Sequence, residues 1–257
     1  MEFVKLEVSN RIGYVTLNRP EKRNALSHQL VAELKAALAS AEEDDSVKVI
    51  VLRAEGEAFC AGADLAYLQQ LQKFSFEENL ADSNHLKELF IRIYLCKKVV
   101  IAQVQGHALA GGCGLATVCD FVYTVPEAKF GYTEVKIGFI PAIVMVFLLR
   151  KMGEQRAKQL LLTGDLIKAE EALAMGLVNR VVSKETLATE VARFAQKMIE
   201  SNSAQSLMLT KQMIAQVQSM PLESALNYAA EMNAQARATA DCQKGIAAFL
   251  NKEELKW

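Results

Sequence analysis

The sequence predicts an α/β fold in which helices cover a largely parallel sheet and a helical region follows at the C-terminus. Strand-like and helix-like patterns alternate from residue 3 to residue 182, and the pattern is helical after that. Residues 49–52 and 99–102 are continuous apolar runs, which are typical of parallel strands buried on both faces. A chain of 257 residues with 51% hydrophobic content is long enough to bury a sizeable core.

The first elements form a strand, strand, helix unit. Residues 3–8 and 12–18 alternate between apolar and polar, and the intervening Ser-Asn-Arg suits a hairpin turn. Ser27 then suits the N-cap of a helix whose apolar positions repeat every three and four residues. Those positions are Leu30, Val31, Leu34, Ala37 and Leu38.

Looser versions of this unit follow along the chain. Strand 47–53 leads into a loop and helices that reach about residue 96, and strand 99–105 leads into helix 112–119. Short strands are predicted at 121–125, 129–130 and 178–182, and helices at 183–200, 204–217, 222–240 and 242–251. The pattern predicts a core over residues 1–200 and a helical C-terminal region over residues 201–257.

Charge and composition exclude several classes of function. The chain has 29 basic and 30 acidic residues, so no surface for nucleic acid or anionic membranes is expected. Neither a basic, apolar N-terminal signal nor about 18 consecutive apolar residues occurs, which favours a cytoplasmic protein. The five cysteines lack CxxC spacing and the three histidines lack a partner at a recognisable spacing. No metal site, disulfide framework or hydrolytic triad is therefore predicted.

Two loops rich in glycine and alanine are candidates for chemistry. In residues 58–65, Asp64 can cap the following helix and leave an N–H near Ala63 free. In residues 106–114, the segment 110–112 lies at the start of a helix, where another N–H is available. Two such donors could form an oxyanion hole, although turns of this kind also serve tight packing alone. The spacing does not give GxGxxG or GxxxxGK[ST], which excludes those nucleotide-binding motifs.

Six motifs in order resemble the crotonase (enoyl-CoA hydratase/isomerase) superfamily over nearly the whole chain. They are NRPEKRNAL at 18–26, FCAGADL at 59–65, GHALAGGCGLA at 106–116, CDF at 119–121, FGYTEVKIG at 130–138 and ALAMGLVN at 172–179. The resemblance implies a crotonase-like spiral of ββα units with a helical C-terminal trimerisation region. It also implies a homotrimer or a dimer of trimers.

The resemblance further implies an acyl-CoA thioester substrate, with coenzyme A as part of the substrate and no other cofactor or metal. The amides of Ala63 and Gly111 would stabilise a thioester enolate. Residues implied to contact substrate or coenzyme A are Lys22, Arg23, Ala25, Ala61, Asp64, Leu65, Gly114, Phe249 and Lys252. Phe249 and Lys252 belong to a segment that closes the pocket, in some members across a subunit boundary. The lysines and the arginine could equally be solvated surface charges.

The chain departs from the two-glutamate hydratases of this superfamily at one acidic position. Gly114 occupies the place of the first of their two glutamates, and Glu134 occupies the place of the second. Since one carboxylate can carry a proton between two carbons, double-bond isomerisation is slightly favoured over hydration by Glu134 and ordered water. A hydrolase or decarboxylase of the same superfamily and a non-catalytic binder of CoA esters remain alternatives.

The surroundings of Glu134 predict its ionisation and the shape of the pocket. Burial among Phe130, Tyr132, Val135 and Ile137 is expected to raise the pKa of the carboxyl. Bulky apolar residues follow Pro141, where many hydratases have a glycine-rich turn. The acyl pocket is therefore expected to differ in shape from that of those hydratases.

Overall fold

The computed structural model of the protein describes residues 1–257 and contains nine strands and ten α-helices. The strands are β1 Val4–Ser9, β2 Ile12–Leu17, β3 Val49–Ala54, β4 Val99–Val104, β5 Ala108–Leu109, β6 Phe121–Thr124, β7 Lys129–Gly131, β8 Ile167–Lys168 and β9 Arg180–Val181. The helices are α1 His28–Glu43, α2 Leu65–Leu71, α3 Phe76–Leu95, α4 Gly111–Thr117, α5 Ala142–Thr163, α6 Ala169–Ala174, α7 Leu187–Ser201, α8 Ala204–Val217, α9 Leu222–Arg237 and α10 Ala240–Asn251. Two 3₁₀ helices span Pro20–Lys22 and Glu134–Ile137.

The main sheet has the order β1-β2-β3-β4-β6-β9. Strands β1 and β2 form an antiparallel hairpin, and all later pairs in this sheet are parallel. Asn10 and Arg11 turn the hairpin with φ of 51° and 63°, the left-handed backbone that a tight hairpin turn requires. The apolar runs of β3 and β4 are buried, so the predicted parallel core is confirmed.

A second, three-stranded sheet runs beside the main one in the order β5-β7-β8. After β3, Cys60 bridges to Ala108 of β5, and after β4 and β6 the chain enters β5 and β7. Successive turns of the chain therefore add strands to both sheets. The result is a spiral whose turns end in the loops that follow β3 and β4.

Local capping explains where the principal helices begin. The Ser27 side chain accepts a hydrogen bond from the Leu30 amide, which confirms the predicted start of α1. Ser75 and Glu78 form a capping box at the start of α3. The apolar face of α1 is buried against the sheet. Helix α3 in turn packs against α1.

Some of the later strands and helices were not predicted from the sequence, and others begin or end at different residues from those predicted. Strands β5 and β8 were not predicted, because two residues carry no detectable periodicity. The strand predicted at 178–182 is reduced to β9, and the helix predicted from 183 begins at Leu187 after a turn. The helix predicted over 222–240 ends at Arg237, where Thr239 caps α10.

The C-terminal helices pack on the core only in part. Lys211 of α8 donates hydrogen bonds to the Ile93 and Lys98 carbonyl oxygens and forms an ion pair with Asp120 at 2.7 Å. Helix α9 has no buried residue. The division at residue 200 stays a prediction. No helix of the protein combines the length and the apolar character needed to cross a bilayer.

Candidate active site

The loops that follow β3 and β4 are hydrogen-bonded to each other. The amides of Phe59 and Cys60 donate to the His107 carbonyl at 3.0 and 3.2 Å, and the Leu109 amide donates to the Cys60 carbonyl at 3.0 Å. A side chain at Gly112 would overlap that Cys60 carbonyl oxygen. Glycine at this position therefore allows the close approach that the site requires.

A third segment, residues 19–26, joins the loop after β3. The Leu26 amide donates to the Gly62 carbonyl at 2.7 Å, and the Asp64 amide donates to the Leu26 carbonyl at 2.9 Å. Asn24 is completely buried, and its side-chain amide donates to the Glu55 and Ala58 carbonyls, both at 2.9 Å. The NRPEKRNAL motif thus has a structural role that shapes the loop around Ala63.

Asp64 caps α2, as the sequence predicted. One carboxylate oxygen accepts from the Ala66 and Tyr67 amides at 2.9 and 3.2 Å, and the other accepts from Arg19 at 2.7 Å. Burial opposes these contacts, but the hydrogen bonds and the Arg19 charge together hold the pKa of Asp64 below its ordinary value. Because α2 and Arg19 occupy its oxygens, Asp64 is fixed as a structural anion beside the Ala63 amide.

Two backbone amides at these loops remain without an acceptor. Neither the Ala63 nor the Gly111 N–H donates a backbone hydrogen bond. A methyl group built on Gly62 would lie 3.7 Å from the Gly111 nitrogen, which brings the two loops together at this point. Ala110 has φ of 50° and ψ of −126°, a strained backbone that costs about 1–3 kcal/mol and is typical of functional turns.

Glu134 enters the same region from β7. The Ala110 amide donates to the Gly131 carbonyl at 2.7 Å, so the strand that leads to Glu134 is bound to the turn that leads to Gly111. The Glu134 side chain is buried, with 9% of the residue exposed, and its Oε2 atom has no hydrogen-bond partner. Burial raises the pKa of this carboxyl above its ordinary value.

The neighbours predicted to bury Glu134 are only partly those observed. Phe130 and Tyr132 are fully buried, but Ile137 is 72% exposed and Val135 is half-buried. The 3₁₀ helix over Glu134–Ile137 turns Ile137 outward, so the prediction for Ile137 was wrong. Lys136 pairs with Asp165 at 3.1 Å.

Val144 fills the space beside Gly114. A side chain at Gly114 would overlap Val144 Cγ1, would lie 2.8 Å from Val144 Cβ and would lie 3.1 Å from Phe90 Cε1. Gly114 is itself buried. It therefore contributes to the packed wall of the site, and that wall has no room for a second carboxylate.

Gly114→Glu is expected to lower the free energy of unfolding by at least about 1–3 kcal/mol, because overpacking must move α5. Urea unfolding measures this loss. In Gly114→Glu/Val144→Gly, where the obstructing side chain is gone, we expect much of the stability to return and water addition to increase. Equal stability of the single variant and the wild type would contradict the packing seen here.

The remaining predicted contact residues fall into two groups. Lys22, Arg23 and Leu65 are exposed near the loop after β3, and neither Lys22 nor Arg23 forms an ion pair. Ala25 is buried and Ala61 half-buried between them. Phe249 and Lys252 lie at the end of α10, which packs on α8 and α9, and Phe249 is 83% exposed. Within one chain the structure does not bring this second group to the loops.

Several residues that shape the site were not predicted from the sequence. Lys151 donates to the Thr117 and Cys119 carbonyls at 2.6 and 2.9 Å, which satisfies the C-terminal end of α4. Arg19 and Asn24 lie inside a recognised motif, but the contacts that attach this motif to the loop after β3 join residues 31 or more positions apart. In the sequence, Asn24 stands between Arg23 and Ala25, and no local pattern indicates its buried role.

The surroundings of the cysteines and of His107 are those of structural residues. Cys60, Cys96, Cys113 and Cys119 are buried free thiols, and burial raises the pKa of Cys60 to about 12. His107 is exposed and accepts a hydrogen bond from the Lys129 amide at 3.2 Å. None of these contacts resembles a nucleophile and base pair.

The arrangement is suited to one kind of chemistry. Two free amides can stabilise negative charge on a carbonyl oxygen, and each such donor is typically worth about 3–4 kcal/mol of transition-state stabilisation. A buried carboxylate with a raised pKa can take up and return a proton near neutral pH. Together they suit formation of an enolate from an activated acyl group.

Comparison with known proteins gives consistent matches over the whole chain. The sequence profile described as enoyl-CoA hydratase/isomerase matches residues 7–257. A Thermus thermophilus relative is 45% identical over 94% of this chain and 95% of its own length. The crotonyl-CoA hydratase of Syntrophomonas wolfei is 35% identical over 98% of this chain and 96% of its own length. The crystal structure of a Mycobacterium smegmatis enoyl-CoA hydratase, 30% identical, superposes with a TM-score of 0.93 over 99% of this chain and 98% of that one.

Proposed function

The chain belongs to the enoyl-CoA hydratase/isomerase family of the crotonase superfamily, and we propose that it hydrates a 2-enoyl-CoA with Glu134 as its single acid–base group. The observation that carries this proposal is the buried, unpartnered Oε2 atom of Glu134. That atom belongs to a segment bound to the turn that presents the Gly111 amide. The names of the relatives favour water addition as the net reaction.

The chemistry balances with one carboxylate. Glu134 takes a proton from water as the water oxygen bonds to the β carbon of the enoyl group. The π electrons move onto the thioester oxygen, where the Ala63 and Gly111 amides stabilise the enolate. The protonated Glu134 then gives that proton to the α carbon, and the carboxylate is regenerated. The product is a 3-hydroxyacyl-CoA.

Double-bond isomerisation is the second candidate, and the contact between Gly114 and Val144 favours it. An apolar side chain fills the place where a second acid could hold water. Glu134 would then remove a proton from the α carbon of a 3-enoyl-CoA and return it to the γ carbon. The same enolate and the same two amides serve this reaction.

The two reactions are separated by incubating the protein with crotonyl-CoA and with 3-hexenoyl-CoA and identifying the products by mass spectrometry. Hydration of crotonyl-CoA adds the mass of one water. Isomerisation of 3-hexenoyl-CoA leaves the mass unchanged and moves the double bond, which chromatography against standards detects. If neither substrate reacts although both bind, the protein is not a hydratase or an isomerase of this kind.

The raised pKa of Glu134 predicts the acid side of the pH profile. Because Glu134 must be ionised to accept a proton from water, kcat/KM should fall as the pH drops through the pKa of this carboxyl. Burial raises that pKa, so the midpoint should lie above the ordinary glutamate value of about 4.3. Initial rates with crotonyl-CoA over a pH series measure it, and a midpoint at or below that value would contradict the assignment.

The proposal includes coenzyme A binding and assembly. Lys22 and Arg23 are exposed cations beside the Ala63 loop and would contact the phosphates of the substrate. Phe249 and Lys252 would close the pocket of a neighbouring copy in a homotrimer or a dimer of trimers. The supporting observations are that Phe249 and Leu250 are 83% and 72% exposed and that α9 buries none of its residues within one chain.

A further inference from the structure

We propose that Tyr132 is a positioning residue whose hydroxyl group ties the Glu134 segment to helix α4, and so fixes the proton-transfer group relative to the Gly111 amide. This inference rests on the proposed function. Tyr132 lies between β7 and Glu134, while the Gly111 amide opens α4. The two catalytic groups are therefore carried by different elements that must be held in register.

The hydroxyl of Tyr132 contacts α4 directly. It lies 3.0 Å from Thr117 Oγ1, and Thr117 Oγ1 donates to the Gly114 carbonyl at 3.2 Å. Because a threonine hydroxyl carries one hydrogen, Tyr132 must be the donor to Thr117. A chain of hydrogen bonds thus runs from the Glu134 segment into the last turn of α4, in an interior where Tyr132 is completely buried.

A second attachment holds the other end of α4. The Ala110 amide donates to the Gly131 carbonyl at 2.7 Å, immediately before the helix begins. At 1.5 Å per residue, the two attachments are separated by about 10 Å along the helix. Lys151 also holds the C-terminal end of α4 through the Thr117 and Cys119 carbonyls, but it is these two attachments that join the helix to the segment that ends in Glu134 and so fix its direction relative to that segment.

The surroundings keep this tyrosine a neutral donor. Burial, the neighbouring Cys113 thiol and the charge of Glu134 raise the pKa of Tyr132 well above its ordinary value. Burial raises the pKa of the Cys113 thiol to about 12, and the Glu134 charge acts in the same direction. Since the charge of Glu134 acts on both groups, Tyr132 stays protonated and can donate its hydrogen to Thr117.

Tyr132→Phe tests the hydroxyl while keeping the ring that fills the core. With crotonyl-CoA we expect kcat to fall about 10-fold and KM to stay within about two-fold, because misplacement affects the reaction more than binding. Thr117→Val should give the same loss, and Thr117→Ser should restore kcat. Tyr132→Phe/Thr117→Val should be no worse than either single variant, because both break one contact.

The outcomes separate this inference from the proposed function. If Glu134→Gln is inactive but Tyr132→Phe keeps kcat within about two-fold of the wild type, the positioning role is wrong and the function stands. Losses that multiply in the double variant, or a rise of KM with unchanged kcat, would also overturn the positioning role. If Glu134→Gln keeps its turnover, the proposed function is wrong and the positioning role falls with it.

Discussion

Glu134→Gln is expected to lower kcat for the reaction of 2-enoyl-CoA by about 10³-fold or more, because the site has one acid–base group and general acid–base catalysis contributes about 10²–10⁴-fold. The amide keeps the size of the carboxyl but cannot accept the proton of water. The dissociation constant of a saturated acyl-CoA should change by no more than about three-fold, since the thioester and the nucleotide contact other groups. Stopped-flow kinetics and calorimetric titration measure the two quantities.

A matched control distinguishes loss of the base from general damage. Glu127 is an exposed carboxylate on the turn between β6 and β7, and Glu127→Gln should keep kcat within about two-fold. Residual turnover of Glu134→Gln near the wild-type level would exclude Glu134 as the proton carrier. A large loss in both variants would point to disturbance of the β7 segment instead.

The same substitution is expected to stabilise the protein at neutral pH. The folded-state pKa of Glu134 is raised by burial, so the ionised side chain destabilises the folded state above that pKa, and the cost disappears below the unfolded value. Since the glutamine side chain of the variant carries no charge at any pH, the thermal midpoint should rise at pH 7 and match the wild type at low pH. A fall at pH 7 would show that the carboxylate is better compensated than its unpartnered oxygen indicates.

Gly112→Ala is expected to lower kcat by about 10²–10³-fold, the typical effect of losing one oxyanion donor. The added methyl group would overlap the Cys60 carbonyl oxygen and lie 2.7 Å from its carbon. This carbonyl accepts the Leu109 amide that holds the two loops together. Separation of the loops would move the Ala63 and Gly111 amides apart, while Glu134 stays intact.

Two other glycines serve as comparisons for this variant. A methyl group at Gly111 meets only the end of the Leu26 side chain at 3.1 Å, so Gly111→Ala should lose much less activity. A methyl group at Gly245 makes an ordinary contact with Trp257 at 3.4 Å, and Gly245→Ala should keep the wild-type kcat. If Gly112→Ala unfolds, its far-ultraviolet circular dichroism will show it. A folded Gly112→Ala with full activity would contradict the hydrogen-bonded pairing of the loops.

The sequence predicted those parts of the fold that depend on local patterns. The hairpin at residues 9–11, the apolar runs of β3 and β4, and the Ser27 cap all depend on neighbouring residues. The glycine-rich loops were also recognisable as candidates, because each follows an apolar strand and leads into a helix, although turns of this kind also serve tight packing alone. Strands β5 and β8, with two residues each, could not be predicted because they exist only through pairing with β7.

The contacts that define the candidate site were mostly beyond prediction because they join distant segments. In the sequence, Gly114 only marks the absence of a carboxylate. In the structure, the Val144 side chain, far along the chain, fills the space that such a carboxylate would need. The Tyr132 hydroxyl finds Thr117 across the interior, and no spacing rule predicts such a partner. Ile137 was expected to cover Glu134, but the 3₁₀ geometry turns it toward solvent.

Exchange of the α proton of a saturated acyl-CoA tests the central claim most directly, because it requires an enolate and a base but neither water addition nor a double bond. Butyryl-CoA is incubated with the protein in D₂O, and deuterium at the α carbon is followed by mass spectrometry. We predict exchange by the wild type and none by Glu134→Gln at equal occupancy by the ligand. Exchange at the wild-type rate in Glu134→Gln, or no exchange by a wild-type protein saturated with butyryl-CoA, would contradict an enolate formed by Glu134.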